Sequence, residues 1–196
     1  DGILLNHYPK NFRKVVGSIE SNVDGYKARK GKHTGYFQMS PVGIEEAKAF
    51  DKTLTPVGTS EKSRQMFMDN PELQERYYEA FVEANHKMLM TLDSYKSLSS
   101  DDKMGVLAYA QQGFGNARAY VEKGIVSVDG NNVKGTKYID ALVKEMNLKV
   151  TSPYAFAHKN KVESNNPQRR PIVNTQGIRV SDRPFLRPTR KKESNN

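Results

Sequence analysis

The stretch from residue 70 to about residue 92 restricts the fold of this chain more than any other. It opens with Asn70, Pro71 and Glu72, a combination typical of a helix start. Asn caps free backbone N–H groups, Pro fits the first helical position, and Glu is favourable in the first turn. Apolar residues then recur at helical spacing on one face, at Leu73, Tyr77, Phe81, Ala84 and Met88. The pattern predicts a long helix at the centre of a helical core.

Shorter helical patterns stand on both sides of this segment. Residues 9–21 carry an apolar stripe at Phe12, Val15, Val16 and Ile19. Further helices are predicted at 43–51, at 60–68, after a cap at 99–102, at 116–123 and at 137–147. The last has its stripe at Ile139, Leu142, Val143 and Met146. Residues 22–34, polar and basic with two glycines, are predicted to be a loop. We therefore expect an all-α globular domain over residues 1–150.

From residue 151 the chain changes character. Proline recurs, helical periodicity disappears, and ten basic residues face only three acidic ones, so that this part holds most of the net charge of +9. Residues 151–196 are predicted to form an extended, basic, Pro-rich arm that contacts other proteins. Its cations also suit weak, salt-sensitive contacts with nucleic acid, although its three aromatic residues are too few for a base-stacking platform.

Composition excludes several classes of function. No run of about 18 apolar residues exists, so no membrane-spanning helix is predicted. The first residues, Asp-Gly-Ile-Leu-Leu, lack a basic leader and an apolar signal region, and they lack an initiator Met, which favours a processed product or a piece of a longer chain. Because the chain has no cysteine, disulfides, thiolate metal sites and a Cys nucleophile are excluded.

Metal and cofactor sites are not expected either. Glu83 and His86 have the spacing of half a carboxylate-bridged metal site, but the other half is missing. The four histidines are scattered along the chain, at His7, His33, His86 and His158. The segment Asp129-Gly130-Asn131-Asn132 lacks the spaced ligands of a calcium loop and is predicted to be a turn.

Glu20 is the principal candidate for chemistry. It adjoins the apolar stripe at the end of the first predicted helix, where partial desolvation raises the pKa of a carboxyl group. A carboxylic acid on a rigid helix beside a long polar loop suits the protonation of a glycosidic oxygen. The alternative is an ordinary glutamate, solvated at the end of its helix.

Two sequence blocks resemble those of a known enzyme family. Glu20-Ser21 is followed by Gly35-Tyr36-Phe37-Gln38, with Met39 and Pro41 after it. This order and interval resemble the lysozyme-like lytic transglycosylases, peptidoglycan-cleaving enzymes of bacteria and phages, in which Glu-Ser precedes Gly-Leu-Met-Gln and a Pro. A second block, residues 107–113 around Tyr109, resembles the family's Ala-Tyr-Asn-Ala-Gly, with Ala110 in place of Asn and one extra residue. The resemblance covers about residues 9–147 and extends to phage muramidase domains.

The resemblance implies a lysozyme-like fold, no cofactor, and a role for each matched residue. Glu20 would be the general acid and then the general base, and Tyr109 would hold it by a hydrogen bond. The sugar subsites would be lined by Ser21, Gly35, Tyr36, Gln38, Met39 and Tyr109, with Tyr36 offering a stacking face. A hydrolysing lysozyme needs a second carboxylate, for which the available candidates are Asp24, Glu45 and Glu46.

The resemblance also implies a setting. The expected substrate is the glycan strand of peptidoglycan, and the expected protein is a phage virion component that opens the host cell wall during genome delivery. It would reside in the phage tail or capsid interior, act in the host periplasm, and contact other virion proteins through residues 151–196. The alternatives are a structural virion protein whose muramidase-like domain has little or no activity, a hydrolysing lysozyme, and a bacterial periplasmic enzyme.

Overall fold

The computed structural model describes residues 10–150, and the arm predicted at 151–196 lies outside this range. The described part is mostly helical, with 66% helix, eight α-helices and two short strands. The prediction of an all-α domain is confirmed at this level. The helices are α1 (Lys10–Ser21), α2 (Pro41–Phe50), α3 (Glu61–Met68), α4 (Pro71–Leu89), α5 (Asp93–Lys96), α6 (Ser100–Tyr109), α7 (Phe114–Lys123) and α8 (Thr136–Met146). Single 3₁₀ segments span Asn22–Lys27 and Ala110–Gln112.

Helix α4 forms the centre of the core, as its sequence predicts. The side chain of Asn70 caps it by accepting a hydrogen bond from the backbone N–H of Leu73, at 3.1 Å. Tyr77 and Tyr78 are fully buried, and α2 and α3 pack against the helix. Because it is covered on nearly every side, α4 also buries polar side chains, among them Gln74.

Gln74 attaches the loop after α1 to this core helix. Its Nε2 donates hydrogen bonds to the carbonyl oxygens of Tyr26 and Phe67, at 3.0 and 2.8 Å, and its Oε1 accepts one from the backbone N–H of Tyr36, at 2.8 Å. All polar atoms of this buried amide are thus engaged. The bonds fix the loop over α4 at two points.

The region predicted as a loop contains a small antiparallel hairpin. Strands β1 (Arg29–Lys30) and β2 (His33–Thr34) pair with Lys30 opposite His33. Gly31 takes a positive φ of 61° in the turn, which a glycine adopts at little cost. Strands of two residues are too short to show an alternating apolar pattern, which is why the sequence predicts only a loop here.

The first and last helices of the described fold lie side by side. Helix α8 packs against α1 and against α6. Its buried face holds Tyr138, Ile139 and Leu142, whereas Val143, predicted to be in the apolar stripe, is 36% exposed. Compared with the predicted stripe, the buried face of α8 is therefore rotated away from Val143 and toward Tyr138. Among the described residues, no helix combines the length and the apolar character needed to cross a membrane.

Candidate active site

Glu20 is the penultimate residue of α1 and is only partly accessible to solvent. The hydroxyl of Tyr138, on α8, donates a short hydrogen bond to its Oε1. Burial raises the pKa of this carboxyl from 4.5 to about 7, against the lowering effects of the Tyr138 bond and of the cations Lys30 and Lys137, and with a smaller contribution from the negative charge of Asp129. The carboxyl is therefore balanced between its protonated and ionised forms near neutral pH.

A small polar cleft opens beside this carboxyl. It brings together side chains from α1, the hairpin, the segment before α2, the 3₁₀ turn after α6 and the turn before α8. These are Glu20, Lys30, His33, Gln38, Gln111, Asp129 and Asn131. Of the predicted site residues, Glu20 and Gln38 are the two that line it.

Two side chains that line this cleft each contain a buried polar atom with no hydrogen-bond partner within the described residues. One is Oε1 of Gln38, whose side chain is 6% exposed, and the other is Nε2 of His33. Gln38 is held by its Nε2, which donates to the carbonyl oxygen of Gly35 at 2.7 Å. Buried polar atoms are normally hydrogen-bonded, so these two atoms are unsatisfied positions in side chains that line the cleft.

The carboxylate next to Glu20 was not among the expected candidates. Asp24 and Glu45 are exposed and Glu46 is buried on α2, whereas Asp129 lines the cleft. Asp129 also holds the predicted turn, since its Oδ1 accepts hydrogen bonds from the backbone N–H groups of Asn131 and Val133, each at 2.8 Å. The turn is confirmed, and it places a second acid in the cleft that Glu20 lines.

Three of the predicted substrate-binding residues support the backbone around the cleft. Ser21 is buried, and its hydroxyl donates to the carbonyl oxygen of Gly17 at 2.8 Å. Gly35 has φ 84°, and a Cβ there would lie 2.3 Å from Oε1 of Gln74, so a larger residue would be strained and would displace the Gln74 side chain. Met39 is 4% exposed, and its backbone bridges to Thr34.

Tyr36 lies away from the Glu20 cleft. Its ring covers Gly17, where a Cβ would come within 2.2 Å of a ring carbon, and its hydroxyl lies 3.2 Å from Oγ of Ser18. The ring packs at 4.8 Å from that of Tyr26, and both line a separate groove that includes Arg13. Tyr36 was expected to offer a stacking face in the Glu20 cleft, but its ring lies in another groove.

Tyr109 is fully buried and acts on the site through α8. Its hydroxyl lies 2.8 Å from Oγ of Ser127 and accepts a hydrogen bond from the Ser127 backbone N–H at 2.6 Å. Its ring fills the space in front of Gly135, where a Cβ would lie 2.3 Å away. Gly135 precedes α8, so Tyr109 positions the helix that carries Tyr138. The hydrogen bond expected from Tyr109 to Glu20 is made by Tyr138 instead.

Sequence reasoning missed most of the cleft. Tyr138 stands one residue before the apolar stripe of the last helix. This position next to Ile139 was the sequence signal that could have identified it as a buried residue. Lys30 and His33 were placed in an undivided basic loop, although a glycine between two basic pairs is compatible with a tight hairpin.

The cleft combines an acid that titrates near neutral pH, a second carboxylate, a lysine and two unsatisfied polar atoms. This set is able to move protons and to hold a polar ligand. No protein-family model, curated protein or solved structure matches the chain.

Proposed function

We propose that the chain is a peptidoglycan lytic transglycosylase with Glu20 as its general acid and base. The observation that supports this proposal most strongly is the Glu20 carboxyl, held in a polar cleft with a pKa of about 7. A group that gives a proton and then takes one back works best when its pKa lies near the working pH. A solvated glutamate, ionised at neutral pH, has no proton to give.

The reaction uses the two forms of Glu20 in turn. The protonated carboxyl donates its proton to the glycosidic oxygen between N-acetylmuramic acid and N-acetylglucosamine, and the bond from C1 to that oxygen breaks. The N-acetyl oxygen of the N-acetylmuramic acid stabilises the positive charge that develops on C1 of that sugar. The Glu20 carboxylate then removes the proton from the C6 hydroxyl, whose oxygen bonds to C1 and closes a 1,6-anhydro ring. No water is consumed.

The neighbours of Glu20 suit both steps. The Tyr138 hydroxyl fixes Oε1, which leaves the other carboxyl oxygen to carry the proton. The same hydrogen bond stabilises the carboxylate formed after the first transfer. Burial favours the neutral form of Glu20 and the Tyr138 bond favours the charged form. Both protonation states are therefore accessible near neutral pH.

Hydrolysis is the second candidate function, and the position of Asp129 favours it. A lysozyme uses a second carboxylate to activate a water molecule or to bind the sugar carbon. Asp129 lines the same cleft as Glu20 and acts on its pKa. In this version Glu20 remains the acid, and the product is a reducing sugar instead of an anhydro sugar.

Digestion of purified peptidoglycan separates these functions. The wild-type chain, Glu20→Gln and Asp129→Asn are compared by mass spectrometry of the soluble products, with Glu45→Gln as the control because Glu45 is exposed on α2. Anhydro-muropeptides that disappear with Glu20→Gln and persist with Asp129→Asn support the transglycosylase. Reducing products that require both acids support the hydrolase. The absence of products from the wild type refutes both and leaves a structural role.

The setting is part of the same proposal. A phage virion component that opens the cell wall, with residues 151–196 as the segment that contacts other virion proteins, follows from the resemblance of the sequence blocks around Glu20 and Tyr109. Electron microscopy of virions labelled with antibodies against this chain, followed by cross-linking of residues 151–196, tests this setting directly.

A further inference from the structure

A further groove lies between α1 and α8, and its volume is about 510 Å³. We infer that Tyr154 and Phe156, near the start of the C-terminal arm, occupy this α1–α8 groove and hold the arm against its own domain. The inference goes beyond the proposed function and does not depend on it. Within the described residues, the α1–α8 groove and the Glu20 cleft share no lining residue.

The floor of the α1–α8 groove is apolar. Val15 and Ile19, from the predicted stripe of α1, are only partly buried, whereas Phe12 and Val16 of the same stripe are completely buried in the core. Ala141 lines the groove from α8 with a single methyl group, which leaves the space between the two helices open. The exposed rim includes Lys14, Ser18 and Glu145. An apolar surface with a polar rim is typical of a site at which another chain segment binds.

The described chain ends close to this groove. Glu145, which lines the groove, stands five residues before Val150. The backbone N–H of Lys149 donates a hydrogen bond to Oδ2 of Asp101 at 2.8 Å, which attaches the chain to the start of α6, and both α6 and α1 pack against α8. A helix with its side chains is about 10 Å across, and residues 151–156 span about 20 Å when fully extended. This segment is therefore long enough to pass around the end of α8 and enter the groove.

The first part of the arm contains side chains that suit the groove. Residues 154–157, Tyr-Ala-Phe-Ala, are the longest apolar run of the arm and hold two of its three aromatic residues. In an extended segment, Tyr154 and Phe156 lie on the same side, about 6.6 Å apart. Val15 and Ile19 are four positions apart on a helix, which separates them by about 6 Å along its axis. The spacing of the two rings thus matches that of the two partly covered side chains of α1.

Docking at this point divides the arm into an attached part and a basic part. All ten basic residues of the arm lie in residues 158–196. This basic part would leave the domain from the α1–α8 groove and would be free for the contacts with other proteins that we propose for the arm. Because the attachment consists of apolar contacts, added salt should not release it.

Disulfide trapping in the full chain tests this placement. The chain has no cysteine, so an introduced pair reports only its own proximity. The test pair is Ser18→Cys, on the rim of the groove, with Ala157→Cys. The control pair is Val143→Cys with Ala157→Cys, because Val143 is exposed on α8 and does not line the groove. Under mild oxidation the test pair should close about tenfold faster at low and at high salt, since docking raises the effective concentration of the two thiols.

The aromatic side chains should account for this difference. Adding Tyr154→Ser and Phe156→Ser to the test pair should bring its rate to within about twofold of the control pair. Phe185→Ser, in the distant part of the arm, should leave the rate unchanged. Hydroxyl-radical footprinting of the cysteine-free chain is a second measurement. The modification of Val15 and Ile19 should increase severalfold when Tyr154 and Phe156 are both replaced by serine, because their cover is lost.

The outcomes that contradict the inference are distinct. Equal trapping rates for the two pairs, or an advantage that survives the loss of both aromatic rings, would show that the rings do not hold the arm in the groove. Faster trapping of Ser18→Cys with Leu4→Cys would assign the groove to residues 1–9. Disulfides between chains that carry Ser18→Cys alone, formed faster than with Val143→Cys alone, would assign it to a second copy. Each of these results leaves cleavage by Glu20 untouched, so the inference and the proposed function fail separately.

Discussion

The buried carboxyl of Glu20 links the stability of the fold to pH, and a single substitution isolates this effect. In the unfolded chain the group has its ordinary pKa of 4.5, and in the folded protein the pKa is about 7. Below pH 4.5 both states are protonated. Between pH 4.5 and 7 the folded state binds more protons, so the free energy of unfolding falls as the pH rises. Above pH 7 both states are ionised and the loss is complete.

The size of the loss follows from the two pKa values. One pKa unit corresponds to about 1.4 kcal/mol, so the folded protein loses about 3 kcal/mol across this range. This figure is an upper limit, because the side chain keeps some contact with solvent. Gln is neutral at every pH and still accepts the hydrogen bond of Tyr138. Glu20→Gln should therefore match the wild type at pH 4 and be more stable by about 2 to 3 kcal/mol at pH 8.

Urea denaturation followed by circular dichroism at pH 4, 6 and 8 measures this difference. Burial also lowers the pKa values of His33 and His86, but both are present in the two proteins, so their contributions cancel. Glu45→Gln, on the exposed face of α2, is the control and should change stability by less than about 0.5 kcal/mol at each pH. A gain for Glu20→Gln that is absent at pH 8, or equal at all three pH values, would refute a desolvated carboxyl.

Three further substitutions test other contacts. Tyr138→Phe removes a hydrogen bond that lowers the pKa of Glu20, so the alkaline limb of the kcat/KM profile should move up by about one pH unit; a downward shift would contradict this role. Gly135→Ala places a Cβ against the ring of Tyr109 and should cost about 1 to 3 kcal/mol of stability by calorimetry, while a neutral effect would show that the ring moves freely. Asn70→Ala removes the cap of α4 and should cost about 1 kcal/mol in urea denaturation with activity unchanged; a loss of activity without a loss of stability would argue against a capping role.

The helices could be predicted because their sequence patterns are local. The segment predicted at 9–21 is α1 (Lys10–Ser21), and the one predicted at 137–147 is α8 (Thr136–Met146), each within one residue at either end. The cap at Asn70 fixed the start of α4 in the same way. The four-residue helix α5 and the two-residue strands gave no prediction, because each covers only about one period of its pattern and a repeat cannot be recognised from a single period.

The candidate site could be predicted only in part, for the opposite reason. Glu20 was identifiable because it adjoins the apolar stripe of its own helix. Its partners Asp129 and Tyr138 lie more than a hundred residues further along the chain, and only the packing of α8 on α1 brings them together. Tyr36 shows the converse, since a plausible sugar-stacking residue close in sequence to Glu20 turns into a different groove. Sequence spacing does not specify which side of a loop a ring covers.

The contact between α1 and α8 makes the pKa of Glu20 depend on how much of the chain has been synthesised. The bond between Glu20 and Tyr138 spans 118 positions, so a ribosome makes the acid long before it makes the helix that buries it. Until residue 136 and those after it have emerged and folded back, Glu20 is an ordinary ionised glutamate in water. The same holds for a chain clipped ahead of α8. The raised pKa of Glu20 thus arises only after α8 has been made and has packed on α1, so the general acid that we propose would be absent from partly made copies.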